Sequence, residues 1–299
     1  MARGRIAGMG IDLNSARFLL SAHASGVDFR RVVTIGRQDL LLPPARLRAL
    51  LHEYRVHPAA SGPRVPPPRT QEEFFALLGA ETVAAIDFSD YEGAGIVHDM
   101  NHPVADELKE RFTAVFDGGS LEHIFDFRTA IRNCMEMVET GGHLLLWTPG
   151  NNFLGHGFYQ FSPELFYRIL DDRNGFRVER LVAVESPGRW YDVADPAKVG
   201  ERVRLCNRRP VQLIVQARRQ RIVPLFAETP QQSDYVAKWN GTSADGRGVA
   251  GLRGRLKEAA MRLPLLWSMV RWWRRKTYPA RRRRVTSFSN RRYYRPLDD

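Results

Sequence analysis

Cysteine, long apolar runs and internal repeats are what this chain lacks. Its 299 residues hold two cysteines, Cys134 and Cys206. Two fit neither a disulfide framework nor a zinc-ligand cluster, so the sequence predicts a reducing compartment and no bound metal. No uninterrupted apolar stretch approaches the roughly 18–20 residues that span a bilayer. The first residues, MARGRIAGMGIDLN, have no apolar segment of the signal-peptide kind. These absences argue against a disulfide-stapled secreted fold or a membrane-spanning one, and predict a cytoplasmic protein.

Acid is scarce at one end alone. The chain has 45 Lys+Arg against 33 Asp+Glu, a net charge of +12. Residues 251–299 carry 15 basic and 3 acidic side chains, whereas residues 1–250 carry 30 of each. A neutral body, 1–250, is therefore joined to a cationic extension, 251–299. The length and a hydrophobic content of 43% suit one large core with a small appendage.

Along the body, apolar spacing predicts a helix over 14–25 with Phe18, Leu19 and Ala22 on one face. Residues 31–35 (RVVTI) form a β-branched strand ending at Gly36. A helix over 43–57 starts at prolines and carries Leu47, Leu50 and Leu51. A Pro-rich loop fills 58–69, and Thr70 then caps a helix with Glu73 three residues on, a capping box. Strands are predicted at 82–86, ending in Asp87, and at 95–97, ending in His98 and Asp99. A helix over 104–111 leads to a strand at 113–116 ending in Asp117. The small turn Gly118, Gly119, Ser120 opens a helical segment, a Gly-Gly turn and a strand at 143–147. A helix at 163–171 and strands at 176–184 and 211–217 complete the body, with a polar loop at 186–210. Alternating β and α units predict a mostly parallel sheet with helices on both faces and an antiparallel finish. Ligands of such sheets sit beyond the carboxyl ends of the strands. That places Asp117, Glu122 and His123 at a mouth.

Three passages in order carry a resemblance: AAIDFSDYEGAGIVHDM, FDGGSLEHIFDFRTAIRNCMEMVETGGHLLLWTP and GHGFYQFSPELFYRILDDRNGFRVE. From about residue 31 to 217 the chain resembles class I S-adenosylmethionine-dependent methyltransferases. That resemblance implies an α/β, Rossmann-like, mostly parallel seven-stranded sheet with an antiparallel last strand, here followed by a basic helical tail. It implies S-adenosylmethionine as cofactor. Asp87 is then the acceptor for the ribose hydroxyls, and Asp99 for the adenine amino group, with Met100 or His98 against the ring. Each acid can instead be a solvated turn former. Asp117 is placed beside the cofactor. The turn after the first strand departs from the family, because Gly36 stands alone before Arg37 and Gln38. Arg37 can hold the cofactor carboxylate, or it is a surface arginine.

A hydroxyl acceptor benefits from a general base. His123, oriented by Glu122, and His156 in Gly155-His156-Gly157 are the catalytic candidates; a packed helix-start histidine and a turn histidine are the plainer readings. Asn152, Tyr159 and Gln160 border the His156 loop and are the residues expected to bind substrate. Arg189, Trp190 and Tyr191 are expected to roof the site.

In the tail, 252–276 reads as an amphipathic helix broken at Pro264, with Trp267, Trp272 and Trp273 beside arginines. Tryptophan beside arginine suits an anionic membrane surface. The cationic surface extends to residue 295. The same composition can meet nucleic acid through phosphates and stacking, but no nucleic-acid-reading motif accompanies it. The tail can also dock on the body or on a second subunit, making a homodimer. The preferred reading is O-methylation of a glycan, a lipid-linked sugar or a small hydroxyl compound at the inner membrane surface. The alternatives are a non-catalytic methyltransferase-like scaffold, which the single-glycine turn favours, and an RNA methyltransferase, which the tail favours.

Overall fold

Val32 and Val33 are neighbours in one β-branched run, yet they enter different cores. Successive strand side chains point to opposite faces, and both faces of this sheet are covered. The computed structural model of the chain describes residues 10–56, 68–90, 93–240 and 286–297. In these, β1 (Gly10–Ile11), α1 (Leu13–Ala24), β2 (Arg31–Ile35), β3 (Asp39–Leu40), α2 (Pro44–Glu53), α3 (Gln71–Leu77), β4 (Thr82–Asp87) and β5 (Ile96–Val97) precede β6 (Phe112–Asp117). Then come α4 (Phe127–Met137), β7 (Val138–Asn151), α5 (Pro163–Ile169), β8 (Phe176–Glu185), β9 (Arg189–Val193), α6 (Pro196–Val199), β10 (Val211–Arg219), α7 (Ser233–Trp239) and β11 (Tyr294–Pro296).

The main sheet has nine strands in the order β11-β9-β8-β10-β7-β6-β2-β4-β5. The run β5-β4-β2-β6-β7 is parallel throughout. Numbered in chain order these five stand 3-2-1-4-5, the doubly wound arrangement whose ligand crevice opens where the strand order reverses. Here that point lies between β2 and β6. β10 enters antiparallel between β7 and β8, which is the antiparallel finish the sequence predicts.

One face buries Val33, Ile35, Val115, Leu144 and Leu146 under Ile131 and Met135 of α4 and Phe166 of α5. The other buries Val32, Phe116, Leu145 and Trp147 under Phe18 and Leu19 of α1, Leu47 of α2, and Phe74 and Phe75 of α3. The α3 cap is real: Glu73 N donates to Thr70 Oγ1 at 3.3 Å. Its return bond goes to the Arg69 amide at 2.6 Å, one residue before the cap.

Four expectations are corrected. The sheet has nine strands rather than seven. Residues 104–111 form no α-helix, only a 3-10 turn at Asp106–Leu108. Ala105 and Lys109 on either side of that turn are extended, at ψ of 150° and 140°, and Glu110 takes a φ of 54°, so the turn does not continue as a helix. The helix expected over 43–57 stops at Glu53, two residues before Arg55 turns to a φ of 54°. Finally, 186–210 is more than a loop, since β9 pairs with β8 as a hairpin. Trp190 of β9 is buried against α1, with the guanidinium groups of Arg17 and Arg180 at 5.5 and 5.6 Å from its ring. It therefore packs in the core and does not roof the mouth.

The chain's end joins the body. β11 pairs antiparallel with β9, Tyr293 and Tyr294 are buried, and Phe288 stacks on Tyr191 at 4.0 Å. Of the Pro-rich loop expected over 58–69, residues 58–67 lie outside the described residues, as does the helix expected over 252–276.

Candidate functional site

The carboxyl ends of β2, β4, β5, β6 and β7 lie at one end of the sheet. Ile35 pairs with Ile86 on one side and Asp117 on the other, which fixes the crevice between β2 and β6. After β2 the chain turns at Gly36, whose φ is 70° and whose amide bonds Ile86 O at 2.7 Å. A left-handed residue here suits glycine. Gln71, at the first turn of α3, holds this turn: its Oε1 accepts from the Gln38 amide at 2.9 Å and from Thr34 Oγ1 at 3.2 Å.

Gln38 then reaches across the crevice. Its Nε2 donates to Ile35 O at 3.0 Å and Gly36 O at 3.2 Å. Its Oε1 lies where a Cβ on Gly118 would stand, so any side chain at 118 would displace the Gln38 amide from this place. Ser120 Oγ closes the same gap by donating to Ile35 O at 2.7 Å. Sequence reading missed Gln38 and Gln71. The available signal was a glutamine immediately after a turn that should be glycine-rich.

The residues expected at the cofactor divide in three. Asp87 is half-buried at the β4 tip, with Oδ1 accepting from the Phe88 amide at 2.7 Å. It stands beside the crevice, as does Gly36. Asp117 is wholly buried, and one oxygen accepts from the amides of Ser120 and Leu121 at 2.9 and 3.2 Å. Burial raises its carboxyl to about 7 against those amide bonds. Its Oδ2 and the Oε1 of Gln38 are buried without a hydrogen-bond partner. Two orphaned acceptors flanking Gly118 cost free energy unless a donor meets them.

Arg37, Asp99 and Met100 are occupied elsewhere. Both terminal nitrogens of Arg37 sit on the Glu72 carboxylate, at 3.0 and 3.1 Å, so its fork is taken by the chain's own acid. Asp99 Oδ1 accepts from the amide and side chain of Asn101 at 2.9 and 2.7 Å, the geometry of a turn former. Met100 is in the core, where Asn133 Nδ2 donates to its carbonyl at 3.2 Å, and does not face a ligand.

Beyond β6, a 3-10 turn at Leu121–His123 presents Glu122 and His123. His156 reaches them from the loop after β7. His156 Nε2 is 3.4 Å from Glu122 Oε1, and the His123 and His156 rings are 5.1 Å apart. Close approach of the two loops depends on Gly157, because a Cβ there would stand 2.8 Å from the Glu122 carbonyl oxygen. The amides of Phe158 and Tyr159 donate to that oxygen at 2.8 and 3.2 Å. Glu122 is buried, and Thr148 Oγ1 lies 3.5 Å from its Oε2. Burial, and then the charge of Asp117, push the Glu122 carboxyl up to about 8. Burial and then His156 hold the His123 imidazole below its ordinary value. The structure thus joins the three catalytic candidates in one cluster, whose donor atoms lie within 4.8 Å of one another.

The residues expected to bind substrate make hydrogen bonds within the loop after β7 and to the segments beside it. Asn152 Nδ2 donates to Asn207 Oδ1 and Arg209 O, both at 2.8 Å. Gln160 Oε1 accepts from the Phe153 amide at 2.8 Å, and Tyr159 Oη donates to Phe125 O at 2.6 Å. These bonds shape the loop that carries His156. The same end of the sheet leaves Phe88, Phe125, Leu154 and Phe158 exposed, with Phe125 edge-on to Phe158 at 5.8 Å. Sequence reading did not single out this apolar rim. Among the described residues no helix is long and apolar enough to cross a membrane.

No family model matches this sequence, and no curated protein matches it. Solved structures similar to it include the N-methyltransferase NodS from Bradyrhizobium japonicum WM9 with S-adenosylhomocysteine, 15% identical over 71% of this chain and 91% of that one, TM-score 0.38. Another is the 1,6-didemethyltoxoflavin-N1-methyltransferase of Burkholderia thailandensis, also with S-adenosylhomocysteine, 14% identical over 70% of this chain and 78% of that one, TM-score 0.39. The branched-chain polyamine synthase of Thermus thermophilus, with 5′-methylthioadenosine, is 14% identical over 74% of this chain, TM-score 0.38. The chain spans 58% and 60% of the length of two structures of that synthase. The doubly wound fold itself rests on the chain's own strand order, 3-2-1-4-5 with β10 reversed beside it.

Proposed function

We propose that the chain is an S-adenosylmethionine-dependent methyltransferase acting on a hydroxyl-bearing acceptor, a glycan or small metabolite among them. The observation that carries this is the pair of orphaned buried acceptors, Gln38 Oε1 and Asp117 Oδ2, at the point where the strand order reverses. Both are acceptors, so they fit a ligand bearing a cationic amino group, as the methionine end of this cofactor does. One strand over, Asp87 suits a pair of ribose hydroxyls. When bound, S-adenosylmethionine supplies a methyl already activated by its sulfonium.

The chain's own residues do the rest. Phe88, Phe125 and Phe158 exclude water from the rim as the acceptor seats. Glu122 and His156, in contact at 3.4 Å, take the acceptor's proton as its oxygen is methylated. The test is methyl transfer from radiolabelled cofactor to a panel of simple hydroxyl, carboxyl and amine acceptors. Hydroxyl turnover that falls about 10²- to 10⁴-fold in Glu122→Gln supports the reading. Transfer to amines alone contradicts it.

A non-catalytic scaffold has one specific observation in its favour. The fork of Arg37 is held by Glu72 and Gln38 fills the space over Gly118, so the usual open cradle is narrowed. We further propose membrane contact, or else nucleic-acid binding, through the cationic residues 252–295, of which 286–295 are among the described residues.

A further inference from the structure

We propose that Glu122, His123 and His156 form a binding site for one divalent transition-metal ion of the zinc class. The donor set is two imidazoles and one carboxylate, brought from two separate loops, after β6 and after β7. Such a set suits zinc, cobalt, iron or nickel, whereas magnesium prefers oxygens and retained waters. Zinc takes nitrogen at about 2.0–2.1 Å and carboxylate oxygen at about 2.0–2.2 Å, which puts donors on one ion about 3–3.6 Å apart. His156 Nε2 and Glu122 Oε1 already stand at 3.4 Å. His123 is exposed, so a rotation of its ring completes the triad.

Three further observations point the same way. Glu122 is buried and its neighbouring acid is Asp117, so the pocket holds two carboxyl groups with one histidine in ion-pair range of Glu122. A divalent cation is the charge that this arrangement is missing. Thr148 Oγ1 lies beside the second Glu122 oxygen, where a hydroxyl fixes a ligating carboxylate. Gly157 and the amides after it clamp the Glu122 backbone, so the two loops are held in register before any ion arrives. Because both histidines are exposed, the ion keeps open positions toward the mouth, as catalytic rather than structural sites do.

What those positions do rests on the function proposed above. An acceptor hydroxyl oxygen coordinates there, becomes more acidic, loses its proton to water and meets the methyl as an alkoxide. Glu122 and His156 then serve as ligands rather than as the base.

The test is calorimetric titration of the full, untagged chain with Zn²⁺, with Co²⁺ absorption as a second readout. One ion per chain, undisplaced by excess Mg²⁺, is expected. His123→Ala and His156→Ala, both at exposed positions, should each weaken binding by at least about tenfold with an unchanged melting temperature. No binding in the wild-type chain, or binding that both variants retain, overturns the proposal. S-adenosylhomocysteine is titrated in parallel. Its binding without the metal's overturns the metal site alone, and the metal's binding without it overturns the methyltransferase reading alone.

Discussion

Gly157 shows how much one missing Cβ decides. The loop after β7 reaches Glu122 because nothing at position 157 occupies the 2.8 Å between a Cβ and the Glu122 carbonyl oxygen. Gly157→Ala should push the loops apart and cost about 1–3 kcal/mol, the usual range for overpacking. Urea unfolding reads the cost, and Zn²⁺ titration reads the separation of His156 from Glu122. His143 gives a second prediction at this scale. Its Nε2 meets Glu179 Oε2 at 3.2 Å, yet burial outweighs that partner and lowers its pKa. A histidine whose folded value lies below its unfolded value contributes stability that is present above the unfolded value and lost as pH falls below it. Over about pH 7 to pH 5 the raised Asp117 and Glu122 carboxyls take up protons in the folded state and favour it, so the effect of His143 is read as a difference: the wild-type urea midpoint should lose ground to that of His143→Gln as pH falls through this range. The neighbours of His143 that bear on this are Glu179, Arg218 and Asp28. At this scale the adjacency of Glu122 and His123 was legible from the sequence. The arrival of His156 was not, because it depends on a backbone approach that no local pattern records. Gln38 was hidden for the same reason, since its role is set by Gly118, eighty residues away.

At the scale of elements, legibility followed local self-sufficiency. The strand at 31–35 was readable because RVVTI is β-branched and bounded by Gly36. The helix at 104–111 was misread because Ala105 and Lys109 are extended on either side of a single 3-10 turn, while Asn133 of α4 ties down the Val104 amide and the Met100 and His102 carbonyls, contacts that no local pattern records. β9 was hidden in a polar stretch because a five-residue strand has too short an alternation to outweigh its arginine, aspartate and tyrosine. β11 was hidden inside a charge run. Tyr294 belongs to the sheet and Tyr293 beside it is buried, while Arg292 pairs with Glu201 at 2.7 Å. A chain ending at residue 285 therefore loses more than cationic surface. It should expose the β9 edge and Tyr191, melt lower and aggregate more readily than the full chain. Differential scanning calorimetry and light scattering check this. An unchanged melting temperature would show that β11 contributes nothing to the body.

At the scale of the whole molecule, fold and site share one cause. A doubly wound order brings the ends of β2, β4 and β6 together, and long β7 lifts its loop over them. The same geometry places the orphaned acceptors, the β4-tip acid and the Glu122 cluster along one edge. The measurement that tests this account most directly is calorimetric titration of the full chain with S-adenosylhomocysteine, beside Asp87→Ala. The account predicts binding at one ligand per chain, lost or much weakened in the variant while the fold is kept. A folded wild-type chain that takes up no S-adenosylhomocysteine would contradict it.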